Sequence, residues 1–266
     1  MAMKENRLRY LLNHDLPSVA TRIWSTNPFF TEAVGASGNF DYVEFLAEYS
    51  PVTQLEMENL CRAAELHDMA SIIKVDFQNR GYVAQKAIGS GFQGVLFTDH
   101  QTPEQVRETV RLVKSETPEA GGRFGYPNKR FIGFQPRIAQ MDHARRVDEI
   151  VLLFMIEKAV AVDNIEEICS IPGVDMIQFG PSDYCMSRGW NVKDHREEAR
   201  AAERHCIEVA LAHGVQPRCE IHSAEAAKYY MDLGVRHFCL GDQLVQFQAY
   251  LNGEGKLMRE AADALR

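Results

Sequence analysis

The chain has 266 residues, of which 45% are hydrophobic and 25% charged, the mix of an ordinary globular protein rather than a disordered chain, a collagen or a coiled-coil rod. Its formal charge is −8, from 29 basic and 37 acidic side chains; a nonspecific binder of phosphate backbone is normally basic, so nucleic acid is not an expected partner. Mean hydropathy is −0.28 and apolar runs such as 150–156 fall far short of the ~20 residues that a membrane span requires, so no membrane is expected either.

The first predicted strand is 19–25, with a short helix over 28–36. A second strand, 42–47, leads through Pro51 and Thr53 into a helix over 54–66 that carries Leu55, Leu60 and Ala63 on one face. Strand three is 70–75, followed by helical 81–88. Residues 94–97 read as a buried strand, and Thr102-Pro103-Glu104 as a helix start, with Thr at the N-cap, Pro at the first position and an acid in the first turn. That helix runs to about Lys114. The fifth strand is 151–156, with helical 163–169, and the sixth is 176–179. A charged amphipathic helix over 196–212 stops at Gly214. The seventh strand is 215–221 with a helix over 224–233, and the eighth is 237–240. A last helix starts at Leu244, breaks at Asn252-Gly253-Glu254-Gly255 and resumes over 256–265. Eight strands, each followed by a helix, predict a single-domain (β/α)₈ TIM barrel spanning 1–266. The competing open sheet would show a Gly-rich loop after its first strand, and 25–30 has none.

Residues 116–146 break the rhythm. They are rich in Gly and Arg, and a loop this long is usually a binding or assembly element. Following the fourth strand, it is expected on or near the face that carries barrel chemistry, or at a subunit contact. Arg123, Lys129, Arg130 and Arg137 would there bind an anionic substrate or an acidic neighbour. Six cysteines, none in C-x-x-C spacing, read as reduced thiols of a cytoplasmic protein. The charged segment 1–14 lacks the apolar run of a secretory signal.

Barrels place their chemistry at the C-terminal ends of the strands. There the sequence sets Glu48 and Tyr49, Lys74 and Asp76, Asp99 and His100, Glu157 and Lys158, Asp183, and Glu220 and His222. Glu157 follows six apolar residues, and a carboxylate so placed needs a positive partner. With Asp183 one strand on, it makes a pair suited to Mg²⁺ or Mn²⁺; the plainer alternative is two salt-bridged acids.

The runs Phe40-Asp41-Tyr42-Val43, Met155-Ile156-Glu157-Lys158 and Pro172-Gly173-Val174-Asp175-Met176-Ile177-Gln178-Phe179-Gly180-Pro181-Ser182-Asp183 resemble the HpcH/HpaI family. These are metal-dependent 2-oxo-acid aldolases with a pyruvate-type barrel, related to the citrate lyase beta subunit. The resemblance runs from about residue 19 to the end of the chain. It implies that Glu157 and Asp183 hold a divalent cation, and that the backbone at Gly180, Pro181 and Ser182 receives a substrate carboxylate. It further implies an enolate of a small 2-oxo or 2-hydroxy acid, and a homohexamer that exchanges C-terminal helices, here within 244–266. Three places depart from the family pattern. Tyr49 stands for its acid–base histidine and Leu46 for the paired aspartate. Lys74 stands for an arginine, and Thr98-Asp99-His100 for a Pro-x-Val. Lys74 would then neutralise the enolate, and Tyr49 or His100 would move the proton, with His222 a further replacement base. The reading is a metal-dependent carbon–carbon lyase acting on a small carboxylate. Its alternatives are another lyase, decarboxylase or hydratase step at the same metal site, or a non-catalytic binding barrel.

Overall fold

The computed structural model describes residues 5–126, 130–134 and 138–266. Eight strands form its centre: β1 (Ser18–Ile23), β2 (Tyr42–Leu46), β3 (Ala70–Val75), β4 (Gly94–Phe97), β5 (Val151–Ile156), β6 (Met176–Phe179), β7 (Gln216–Ile221) and β8 (His237–Asp242). All neighbours pair in parallel, and β8 returns to β1, so the sheet closes into a barrel. The helices are α1 (Arg7–Asn13), α2 (Pro28–Ala36), α3 (Gln54–Glu65), α4 (Arg80–Ser90), α5 (Pro103–Val113), α6 (Gln140–Asp148), α7 (Ala159–Asp163), α8 (Ile165–Cys169), α9 (Pro181–Ser187), α10 (Arg196–Ala212), α11 (Ala227–Asp232) and α12 (Gln243–Asp263). The fold is a TIM barrel, as the alternation of elements predicts.

Strand periodicity sorts the side chains into two cores. On β5, Leu152, Phe154 and Ile156 face the helices, while Val151, Leu153 and Met155 fill the barrel. The same alternation sends Arg22, Glu44, Lys74 and Arg218 inward, among strands whose neighbours are apolar or small. Helix starts follow local chemistry. Thr102 caps α5 in a reciprocal box with Gln105, and Pro103 takes the first turn.

Three features differ from the sequence reading. The charged segment near the N-terminus contains α1, whose Leu8 joins the barrel-interior core and plugs its N-terminal end. Asn6 Nδ2 holds α1 there by donating to Gln93 O at 2.7 Å and Glu149 O at 3.0 Å. Segment 116–146 follows α5, not β4 directly, and so its described residues sit at the end of the barrel opposite the strand C-termini. Lys114 Nζ donates to Asp148 O at 2.7 Å, and Arg130 makes a two-pronged bond with Glu65, the last residue of α3, at 3.0 and 2.8 Å. Arg123 pairs with Glu108; Lys129 and Arg137 lie outside the described residues. Phe124, Phe131, Ile132 and Ile138 of this segment lie in the outer core, and α6 starts within it at Gln140. Finally, α12 runs unbroken through Gly253 and Gly255. Each glycine costs roughly 1 kcal/mol against alanine, and ion pairs Lys256–Glu260 and Arg259–Asp263 support the turn that follows.

All six cysteines are buried and unpaired. No helix among the described residues is long and apolar enough to cross a membrane.

Candidate active site

Glu157 continues the inward series of β5 by one step, which places its carboxylate inside the barrel mouth with 3% of the residue exposed. Its Oε1 accepts a hydrogen bond from the Asp99 backbone N–H at 2.8 Å. Gly180, at the end of β6, lies against it: a Cβ there would stand 2.7 Å from Glu157 Cβ and 2.9 Å from Oε2, so only glycine permits the approach. Burial pushes the Glu157 carboxyl up to about 7, opposed by the Asp99 N–H and the charge of Lys74 and reinforced by the charge of Asp183. Glu157 makes no ion pair among the described residues.

Asp183 lies in the first turn of α9, which begins immediately after Gly180. Its carboxylate meets Lys158 Nζ at 3.5 Å, and the same ammonium is 2.6 Å from Asp99 Oδ1. Asp99 holds a left-handed backbone, φ 61°, an unusual conformation for a residue other than glycine. That turn is what presents its N–H to Glu157. Gly180 caps α9 without a side chain, which leaves first-turn N–H groups of Ser182 and Asp183 to another acceptor.

Across β3 and β2 the sequence candidates Lys74 and Tyr49 form one unit with Glu48. Lys74 Nζ donates to Tyr49 Oη at 2.9 Å and pairs with Glu48 at 2.7 Å. Its ammonium is buried, yet these two partners raise its pKa. Desolvation outweighs the nearby ammonium at Tyr49, whose phenol titrates above its usual value rather than below it. Tyr49 also stacks on Trp24, ring centroids 5.5 Å apart, and the Trp24 indole N–H donates to Asp242 at 2.8 Å.

His100 does not join this group. The left-handed turn at Asp99 ends the strand alternation and rotates His100 outward into the layer between barrel and helices. Its ring lies among Phe77, Phe97 and Phe154. One ring nitrogen is 2.9 Å from Thr98 O and the other 2.7 Å from Thr109 Oγ1 on α5. Burial lowers its pKa to about 3. With both nitrogens occupied and 1% exposure, it has no route to a substrate at the mouth. His222 is exposed beyond β7.

The family match decides what this geometry belongs to. The description HpcH/HpaI aldolase/citrate lyase fits residues 25–236, most of the chain. The chain belongs to the HpcH/HpaI family. It is 29% identical over 167 residues to the hydroxypyruvate/pyruvate aldolase of Sagittula stellata, a stretch covering 63% of this chain and 64% of that protein, just under two thirds of its length. The crystal structure of the citrate synthase SbnG superposes with a TM-score of 0.84 at 22% identity, covering 97% of this chain and 100% of that one. The citrate lyase beta subunit of M. tuberculosis, complexed with oxaloacetate and magnesium, gives a TM-score of 0.56 at 14% identity, over 89% and 95% of the chains.

In this HpcH/HpaI barrel, among the described residues, no three His, Cys, Asp or Glu side chains gather as a metal cluster. The candidate donors are the pair Glu157 and Asp183, at the ends of adjacent strands. A buried carboxylate without a cation of its own is what a two-ligand divalent site would use, the remaining positions going to water or substrate oxygens. Sequence reasoning missed Arg22, Glu44, Arg218 and Asp242, which line the interior beneath and beside this pair. Arg218 is fully buried: it pairs with Glu44 at 2.5 Å and donates to Tyr42 Oη at 2.8 Å and to Gln178. The available signal was a lone charge inside an otherwise apolar strand, as in Tyr42-Val43-Glu44-Phe45-Leu46.

Proposed function

We propose that this protein is a divalent-cation-dependent carbon–carbon lyase of the aldolase type, acting on a small 2-oxo acid through its enolate. The observation that carries this reading is Glu157, a buried carboxylate raised toward neutrality and facing no ion-pair partner, beside Asp183. Glu157 and Asp183 would hold Mg²⁺ or Mn²⁺, whose role when bound is to polarise the 2-oxo group. The open first turn of α9 at Gly180, Pro181 and Ser182 orients the substrate carboxylate.

The chain's own residues handle the protons. In cleavage, the proton of the 4-hydroxyl passes to Glu48, the C3–C4 bond breaks, and its electron pair becomes the enolate while C4 leaves as an aldehyde. Lys74, fixed between Glu48 and Tyr49, offsets the enolate charge as a point charge rather than as a fork. Tyr49 stays protonated at neutral pH, so it is an acid here: it gives its proton to C3 and is reloaded from Glu48, with which it shares Lys74. His100 has no part in this cycle.

The test is exchange of the pyruvate methyl protons for deuterium, followed by NMR with Mg²⁺ or Mn²⁺ and after chelation. Cation-dependent exchange that Glu157→Gln abolishes supports the reading. Exchange that is unaffected by the chelator overturns it.

The assembly we propose is an oligomer, a hexamer by family resemblance, built by exchange of α12. None of the 21 residues of α12 is buried, although Leu244, Phe247, Leu251, Leu257 and Met258 are apolar. Between α2 and the start of α12 lies a cavity of about 660 Å³ lined by Ile23, Phe30, Val34, Phe40, Leu244 and Phe247.

A further inference from the structure

Arg22 stands on β1, four strands from β5 in either direction around the ring, so it faces Glu157 across the barrel axis. Its Nη1 is 2.6 Å from Glu220 on β7, and its Nη2 is 3.5 Å from Asp242 on β8. The other strand-end cations are committed in the same way, Lys74 to Glu48 at 2.7 Å and Lys158 to Asp99 at 2.6 Å; deeper in the barrel, the fully buried Arg218 is held by Glu44 at 2.5 Å. Six carboxylates thus face three cations around the mouth once Glu157 and Asp183 are included. A bound divalent cation would leave a single negative charge in excess. A cation held by Glu157 and Asp183 would offset the negative charge at the 2-oxo acid end of the substrate. A second carboxylate, at the far end of a substrate, would find every described strand-end cation paired and two acids, Glu220 and Asp242, beside its nearest guanidinium. Like charges brought together at a partly desolvated site cost several kcal/mol. The surface that remains for the far end is the stacked pair of partly buried Trp24 and exposed Tyr49.

We propose, resting on the aldolase reading above, that the aldehyde half of the substrate is uncharged, and that Glu220 sets this preference by holding Arg22. Neutral aldehydes and hydroxyaldehydes are the class this wall accepts, and aldehydes bearing a carboxylate are the class it rejects.

The experiment compares two 4-hydroxy-2-oxo acids of equal chain length, one ending in a methyl or hydroxymethyl group and one in a carboxylate, by pyruvate release from the full chain with Mg²⁺. The wild type should favour the neutral tail in kcat/KM by about tenfold or more. Glu220→Gln removes the closer of the two carboxylates that hold Arg22, leaving Asp242 at 3.5 Å, and should shift the ratio about tenfold toward the acidic tail; adding Arg22→Met should erase that gain. Equal use of both tails by the wild type, or an unchanged ratio in a folded Glu220→Gln variant, overturns the proposal. If that variant does not fold, the wild-type ratio alone decides. Deuterium exchange into pyruvate keeps the two failures apart. Exchange with no tail preference rejects this inference and leaves the aldolase reading standing, whereas absence of cation-dependent exchange rejects the aldolase reading and this inference with it.

Discussion

A carboxyl that ionises only near neutrality couples cation binding to proton release. The folded-state value for Glu157 is about 7 against an ordinary 4.5. The sign follows from linkage: a group whose folded pKa is raised favours the fold below its unfolded value and loses that contribution as pH climbs through the folded one. The cation-free protein should therefore lose up to about 3 kcal/mol between roughly pH 4.5 and 7 from this residue. Mg²⁺ or Mn²⁺ should restore stability above pH 7, where the carboxylate is free to bind, and Glu157→Gln should flatten both effects. Calorimetric melting across pH, with chelator and with cation, checks this; an acid-side loss in place of a neutral-side one would refute the assignment. At Tyr49 the consequence is catalytic. Tyr49→Phe removes the proposed proton donor but keeps the stack on Trp24, so aldol cleavage should fall by about 10²–10⁴-fold while cation affinity stays unchanged in titration calorimetry.

At the scale of elements, the turn between β4 and α5 shows how one backbone conformation redistributes side chains. Strand alternation carried past Phe97 puts His100 in the mouth; the left-handed Asp99 puts it between Phe97, Phe154 and Thr109 instead. His100→Ala should accordingly cost about 2–4 kcal/mol by leaving a cavity and an unpaired Thr98 carbonyl. Cation-dependent exchange of pyruvate protons, measured below the lowered Tm, should persist in that variant. Helix α12 offers a second case. Its glycines sit in a helical interior with nothing within 4 Å of the place a side-chain methyl would take, so Gly253→Ala with Gly255→Ala should add roughly 1 kcal/mol per site. Circular dichroism and melting of the full chain read that gain; a loss would show that the glycines serve a close contact in the assembly.

For the whole molecule, a helix of about 30 Å with no buried residue touches its own barrel mainly at its first turn, where Gln243 accepts from the Trp24 and Ser25 N–H groups, and most helical stability in proteins comes from packing an apolar face. Light scattering should give a mass several times the 30.1 kDa of one chain, and removal of residues 244–266 should reduce it to fewer copies and lower the Tm. A monomer at micromolar concentration would reject the exchange. The barrel itself was legible in the sequence, because each strand and most helices are set by local alternation, capping and stop residues. Glu157 was legible for the same reason, as a charge placed one step beyond an apolar run, and Asp183 through its Gly-Pro-x-Asp setting. Other features depend on which strands become neighbours, and residues such as Arg22 and Glu220 are nearly 200 positions apart. Tertiary structure alone decided that Lys74 is shared by Glu48 and Tyr49, that Arg22 is held by Glu220, and that Phe124, Phe131, Ile132 and Ile138 of the long segment pack into the outer core. It also decided that His100 turns away from the mouth, since burial against the helix layer and two hydrogen bonds favour that position over an unpaired ring inside the barrel.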